Sequence, residues 1–366
     1  MKRIICILLC FLMGLGIFTG CAHKDEPRNS APDEKNDEII IPDNELKFTQ
    51  EKVVKRDKFL EKDVFSQFLS NAEQGFLVPG LAQFFIPQGI SFSEKAGLIF
   101  ISNYSAIPDA PSLISAVDAK SGELVGEFPI YMADGSPFTS HMGGIAAVGD
   151  WVYVSAKADE YKNYQIAKIS LPELQQQGRH DVKIEELIKV GTSPSFLNYS
   201  EGILWVGNFY HPEGKYPLPR SFSGTHSTSD GSENGCYIIG YIPDENGSLK
   251  MEGEYPAAKL VISAPNKIQG MCAANGNIYL SQSYGRKNDS CILEYTLDFE
   301  NAKSENVSIC GKDVPCYELD STNLKCNIAA MPMSEGLCLD SNDDILILFE
   351  SGAGKYDDGR DRTDTV

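Results

Sequence analysis

From residue 84 onward the hydrophobic positions fall into short runs separated by polar turns. Five stretches share one plan: "PQGISFSEKAGLIFISNY" (87–104), "MGGIAAVGDWVYVSAK" (142–157), "SFLNYSEGILWVGNFY" (195–210), "IQGMCAANGNIYLSQSYGR" (268–286) and "MSEGLCLDSNDDILILFES" (333–351). Each reads as an apolar strand, a polar turn and a second apolar strand ending in small, polar or aromatic residues. Asn275-Gly276 is suited to a tight hairpin turn. In four stretches a glycine stands just before or within the first strand. The third is irregular, because its Gly202 falls at the turn. Further strands follow in "LISAVDAKSGELVGEFPI", "YQIAKISL", "KIEELIKV", "CYIIGYIPDENGSLK" and "CILEYTLD".

Aligned on Gly89, Gly144, Gly202, Gly270 and Gly336, the repeat is far longer than a hairpin and suits a four-stranded blade with long loops. The pattern therefore predicts an all-β fold, a β-propeller of five blades, in which each blade covers the apolar face of the next. Six or seven blades remain open if 46–80 or 300–330 hides a degenerate unit, and a β-sandwich is the other all-β alternative. The last unit is too short for four strands. Residues 46–366 are expected to form one domain, with 46–80 supplying a missing outer strand and closing the ring. Within that segment "LKFTQEKVV" reads as a strand and "DVFSQFLSNAEQ" as a short helix.

The N-terminus differs from this body. Lys2 and Arg3 precede the apolar run "IICILLCFLMGLGIF", which is short for a membrane span and has the order of a secretory signal. Its end, "FTGC", resembles a bacterial lipoprotein signal. That resemblance implies a signal peptide over 1–20, lipidation of Cys21 with palmitate-type acyl chains, and a body held at the cell membrane on the extracytoplasmic face. Residues 21–45, rich in Asp, Glu, Lys, Asn and Pro, then form a flexible tether.

Formal charge is −19, and no basic stripe appears. That balance excludes nucleic acid as a partner. Seven cysteines follow the proposed anchor, and an odd number cannot all pair within one chain. Export permits disulfides, and Cys310, Cys316 and Cys326 cluster closely enough in sequence to predict a bridge among them. Their spacings fit no compact zinc pattern.

"AVDAKSGELVGEF" and the repeated "GI…IYLS" units are similar to the broad propeller superfamily that includes gluconolactonase-like, regucalcin-like and surface-repeat proteins. The resemblance covers 84–351 and implies a propeller. Its members include calcium-dependent lactonases or esterases, lyases and binding proteins. Catalytic members hold a metal in the channel with Glu, Asn and Asp. No such set maps onto this sequence residue by residue, so no metal ligand is assigned. A divalent cation such as calcium enters only with the enzyme alternative.

Superposed units would bring the ends of the second strands to one mouth of the ring. The ligand-binding candidates there are Asn103, Tyr104, Lys157, Asn208, Tyr210, Ser283, Tyr284, Arg286 and Glu350, with His141 entering from the start of the second unit. Aromatic, amide and cationic groups of this kind can orient a sugar-like or carboxylate-bearing ligand. Glu335 and Glu350 would be the acids of interest if both point inward. His226 shows no acid partner in the sequence, and 211–235 is a long loop able to cover the channel. Asp340, Asn342 and Asp344 imitate part of a calcium loop, but without its glycine they read as a polar turn. Trp151 and Trp205 read as packing. The expected function is a membrane-anchored propeller that binds a small molecule, glycan fragment or envelope protein through one ring face. The alternatives are a metal-dependent lactonase- or esterase-like hydrolase or a lyase in the channel, and a structural scaffold of the envelope.

Overall fold

The computed structural model describes residues 48–159, 162–214 and 216–366. The proposed signal, Cys21 and the tether lie outside the described residues. No helix among the described residues is long and apolar enough to cross a membrane.

The chain forms a β-propeller with four complete blades. Blade 1 runs through Phe85–Ser93, Leu98–Ser105, Leu113–Asp118 and Leu124–Tyr131. Blade 2 uses Ile145–Val148, Trp151–Ser155, Gln165–Ser170 and Glu186–Lys189. Blade 3 uses Phe196–Ser200, Ile203–Gly207, Cys236–Tyr241 and Ala258–Ala264. Blade 4 uses Ile268–Ala274, Asn277–Gln282, Ser290–Thr296 and Leu324–Ala330. In each, consecutive strands pair antiparallel.

The expectation of five full blades is corrected here. The fifth unit forms only a two-stranded sheet, Ser334–Leu339 with Ile345–Phe349. After Phe349 the chain enters a short 3-10 turn, Gly354–Tyr356, and the side chain of Arg362 donates to the carbonyls of Ser351 and Gly352 instead of the backbone continuing a sheet. The space is filled from the other end of the chain. Phe59, Phe65 and Phe68 pack with Ile292 and Ala330 of blade 4 and with Phe349. Backbone bonds join Gly75 and Val78 to Val366 and Asp364. The short helix is present over Ser66–Asn71, whereas the described part of "LKFTQEKVV" forms no strand.

The apolar core is divided into layers between neighbouring sheets. Phe100 and Phe128 of blade 1 meet Val152 and Val154 of blade 2. Tyr153 and Ile188 of blade 2 meet Leu204 and Ile239 of blade 3. Trp205 and Ile262 meet Met271 and Leu280 of blade 4. Ile86, Ile99 and Ile101 of blade 1 meet Met333, Cys338 and Leu348 of the fifth unit. Strands covered on both faces need apolar residues at nearly every position, which explains the near-continuous runs in the sequence.

Glycines let the innermost strands approach. A Cβ on Gly144 would stand 2.0 Å from the Leu197 amide, and one on Gly336 would stand 2.9 Å from the Ile90 amide. Gly202, used to align the third unit, is a turn residue at φ +72°. The inner-strand equivalent in blade 3 is Phe196–Leu197, where the backbone meets Gly144.

Blade edges are covered by loops reaching backwards. Between its third and fourth strands, blade 2 sends Gly178–Arg179 and Val182–Lys183 to pair parallel with Leu124–Tyr131 of blade 1. Blade 4 does the same with Lys312–Glu318, which pairs parallel with Ala258–Ala264 of blade 3 and carries Ser304–Ile309 outside it. Residues 300–330 therefore extend blade 3 and complete blade 4 rather than forming another unit. Such covering removes open hydrogen-bonding edges. Cys310 lies exposed in the turn of this added hairpin, and no disulfide joins Cys310, Cys316 and Cys326 among the described residues, so the expected bridge is not formed. Cys316 is buried in the sheet and pairs in register with Val261, on a different strand from Cys326.

Candidate active site at the ring mouth

Three inner strands open with the same irregularity. The antiparallel register slips between Pro87 and Gly89, between Ile268 and Gly270, and between Ser334 and Leu337. The residues at these bulges are Gln88, Gln269 and the pair Glu335–Gly336. A bulge re-aims its side chain out of the normal alternation. Here it delivers two amides and one carboxyl to the same end of the ring.

Glu335 and Glu350 form a hydrogen-bonded carboxyl pair. Gln269 Nε2 donates to Glu335 Oε1 at 3.1 Å. Gln88 Nε2 and the Tyr356 hydroxyl donate to Glu350 Oε2 at 2.7 and 3.0 Å. Burial and then the negative charge of Glu350 hold the Glu335 pKa well above the usual carboxylate range. Burial pushes Glu350 up to about 7, against the three donors that favour its ionised form. Two carboxyls in contact cannot both ionise cheaply, so one proton is shared between them near neutral pH. The proton belongs to the pair, and the stronger upward push falls on Glu335.

An aromatic and cationic border surrounds the pair. The Tyr104 and Tyr356 hydroxyls are 3.1 Å apart, and Lys355 Nζ donates to the Tyr104 hydroxyl at 2.9 Å. His141 stacks on Tyr104 with ring centroids 4.3 Å apart. Although part of His141 reaches solvent, crowding pushes its pKa down to about 4, burial first and the Lys355 charge second. It is therefore a neutral imidazole at pH 7. Arg286 lies 4.9 Å over the Tyr356 ring and pairs with Asp358 at 2.6 Å.

The structure thus gathers Tyr104, His141, Glu350 and Arg286 in one neighbourhood and distributes the other candidates elsewhere. Asn103 and Asn208 are buried where their strands end. Asn103 Nδ2 donates to the Ile101 carbonyl at 3.0 Å, and Asn208 joins the Tyr237 amide to the Gly235 carbonyl. Lys157 donates to Thr139 and borders a separate small cavity of 200 Å³ with Phe138 and Leu187. Tyr210 packs its ring against Gly235. Ser283 and Tyr284 line a larger cavity of 680 Å³ between blades 3 and 4, which does not include the carboxyl pair. Glu201 is exposed and accepts from the Asn275 amide. His226 lies 3.5 Å from Glu318. Asp340 accepts from the amides of Asn342 and Asp344, which makes the run a turn. No group of three or more His, Cys, Asp or Glu able to hold a metal occurs among the described residues.

Sequence reading missed Gln88, Gln269 and Tyr356. The signal for the first two was available: each directly precedes the glycine used to align its unit, as Glu335 does. Tyr356 carries no such repeat signal, because it lies on the 3-10 turn that replaces further strands.

No family model matches this chain, and no curated protein matches it. Solved structures give distant likenesses. Glutaminyl cyclase from Myxococcus xanthus is 14% identical over 76% of this chain and 91% of its own, with a TM-score of 0.40. A GH43_1 enzyme from Xanthomonas citri complexed with xylose is 12% identical over 79% and 87%, with a TM-score of 0.41. A putative 6-phosphogluconolactonase from Bacteroides uniformis is 10% identical over 72% and 78%, with a TM-score of 0.35. The propeller assignment rests on the sheets themselves, and these likenesses say nothing about which reaction or ligand belongs to this chain.

Proposed function

We infer that this protein is a lipid-anchored, extracytoplasmic propeller that binds a small neutral polar ligand at the ring mouth. The observation that carries this reading is the proton-sharing Glu335–Glu350 pair held between the Gln88 and Gln269 amides. Such a pair offers both a hydrogen-bond donor and an acceptor within a few ångströms, and the flanking Tyr104, Tyr356 and His141 supply apolar ring faces with polar edges. Hydroxyl and amide groups of a ligand match that mixture. Acyl chains on Cys21 would place the mouth outside the cell membrane without requiring the acidic body to touch lipid.

A second reading follows from one feature, the raised pKa of Glu350. A carboxyl titrating near 7 can act as a general base when ionised and a general acid when protonated. In a hydrolase, Glu350 would take a proton from attacking water and Glu335 would protonate the departing oxygen. This reading needs no metal. It belongs to ester, lactone or glycoside cleavage, where one water is consumed and one bond to oxygen is broken.

Both readings are tested by thermal-shift screening of full-length protein in detergent against neutral sugars, sugar lactones and small amides. Ligands of the mouth should stabilise the wild type and lose about tenfold or more in affinity with Glu350→Gln. Ligands that stabilise the variant equally would remove the mouth as the binding site. Product formation from a lactone, ester or glycoside, lost in both Glu335→Gln and Glu350→Gln, would favour the hydrolase. Release of a Cys21→Ala protein from membranes is expected, and unchanged retention would refute the lipid anchor.

A further inference from the structure

A cavity lined by Tyr284 and Lys267 belongs to neither reading. It opens between blades 3 and 4, has a volume of 680 Å³, and falls within the usual range of small-ligand sites. One wall is aromatic. Tyr284 lines the cavity and is 40% exposed. Its ring lies 4.3 Å from His211 and 6.2 Å from Phe209, and Phe209 in turn meets Tyr216 edge-on at 5.1 Å. Tyr284 is the ring of this cluster that lines the cavity and forms its aromatic ledge.

The facing wall is polar and held in place. Asp230 accepts from the Ser232 and Ser321 amides and the Thr228 hydroxyl, which keep its pKa well below the usual carboxylate value. Asp320 accepts from the Thr322 amide and hydroxyl and from the Asp230 amide. Hydroxyls of Ser227 and Thr225 likewise hold Glu233 ionised. These bonds fix the carboxylates without occupying every lone pair. Lys267 also lines the cavity, lies 5.5 Å from the Tyr284 ring centroid and makes no ion pair with a carboxylate among the described residues. Its ammonium can donate to a ligand in the cavity.

We propose that this cleft is a second binding site, for a neutral oligosaccharide. Sugar rings present apolar C–H faces that pack on aromatic rings, while their hydroxyls donate to carboxylates and accept from ammonium and amide groups. Four carboxylates line the cavity with one lysine, Asp289 being paired with Arg360, and the three fixed ones disfavour an anionic ligand. Lys267 beside Tyr284 disfavours a compact cation on the aromatic ledge. A neutral polyol satisfies both walls. The site stands independently of the ring mouth: its contacts come from blades 3 and 4 and their loops, and it uses neither Glu335 nor Glu350.

The test is titration of full-length protein in detergent with maltotriose, cellotriose and triacetylchitotriose, read by calorimetry. At least one should bind with a dissociation constant of about 1 mM or lower. Tyr284→Ala should weaken it about tenfold or more, Tyr284→Phe should retain it, and Lys267→Met should weaken it severalfold. Glu335→Gln should leave it unchanged, which separates this site from the mouth. Tyr284 is substantially exposed, and an unchanged melting temperature in Tyr284→Ala would show that lost binding is not lost folding. Failure of all three sugars to bind at 10 mM, about tenfold above that constant, would overturn the proposal. So would equal binding by Tyr284→Ala, or binding only of trigalacturonate or spermidine. Loss of sugar binding in Glu335→Gln would overturn it as well, by moving the sugar to the ring mouth.

Discussion

Blade 4 and the fifth unit begin alike and end differently. Gln269-Gly270 and Glu335-Gly336 occupy the same bulge, with side chains of nearly equal shape. Blade 4 continues into four strands, while the fifth unit stops after two. The backbone irregularity is thus a reusable means of sending one long polar side chain into the mouth, and the chemistry depends on a single terminal group. An amide in that position can donate without titrating. A carboxyl can gain or lose a proton. Gln88 of blade 1 and Gln269 of blade 4 lie on either side of the fifth unit and donate to Glu350 and Glu335 respectively. The shortened fifth unit contributes a second difference. Its chain turns back at Gly354–Tyr356 and brings Lys355 and Tyr356 over the pair, where a complete blade would continue outward.

The largest effect expected concerns the close approach of inner strands that blade 4 and the fifth unit share with the rest of the ring. Gly144→Ala would place a Cβ 2.0 Å from the Leu197 amide, a backbone atom that cannot rotate aside. Overpacking of this kind costs about 3 kcal/mol or more. Chemical denaturation should show the loss, and a midpoint close to wild type would disprove the tight ring contact.

Next is Glu335→Gln, which makes the fifth unit imitate blade 4. The amide can donate to Glu350 as the protonated acid does and still accept from Gln269. In the wild type the folded state holds a proton that the unfolded chain releases above about 4.5. The pair therefore favours folding fully below that pH; the Glu350 part of the benefit is lost as pH rises through about 7, and the Glu335 part as pH rises through its own raised pKa. The variant should flatten this decline and exceed wild-type stability at pH 8 by about 1–2 kcal/mol. A denaturation series across pH reads the difference. Parallel curves would show that the two carboxyls do not share a proton. Conversely, Glu350→Gln removes the charge opposing Glu335, so carbon NMR should show the Glu335 pKa falling while burial keeps it above 4.5.

His141 should act with the opposite sign. Its pKa is depressed to about 4, so protonation at lower pH works against the folded state, and its contribution is lost as pH falls from about 6.5 through 4. His141→Asn should make the protein relatively more stable near pH 4 and alter little at pH 8. A loss of stability at pH 8 equal to any change at pH 4 would mean that its stacking on Tyr104 outweighs its titration.

The fold was legible because strand runs and turn glycines recur at the scale of a blade. The blade total was less legible, since a two-stranded unit looks the same as the start of a full blade until the residues after it fold into a 3-10 turn instead of a third strand. Nor could periodicity show that Phe59, Phe65 and Phe68 fill the missing space, because a short helix there carries no β repeat. At the mouth, Glu350 and Tyr104 were visible as strand ends. The same rule also selected Asn103 and Asn208, whose side chains turn into the sheet and bind backbone. Direction at a strand end is set by local register, and the decisive bulge was hidden by aligning on glycine instead of on the residue before it.

That distinction gives the smallest expected effect. Lys157 also follows a second strand, but blade 2 has Gly143 where blades 1 and 4 have glutamine, and its lysine faces Thr139 beside a cavity of its own. Lys157→Ala should change stability by no more than about 0.5 kcal/mol, the usual range for an exposed side chain. It should also leave the pH profile created by Glu335 and Glu350 intact. If this substitution shifts the profile as strongly as Glu335→Gln, the carboxyl pair is coupled to the whole rim, and the contrast between titrating and non-titrating bulges is not what organises the mouth.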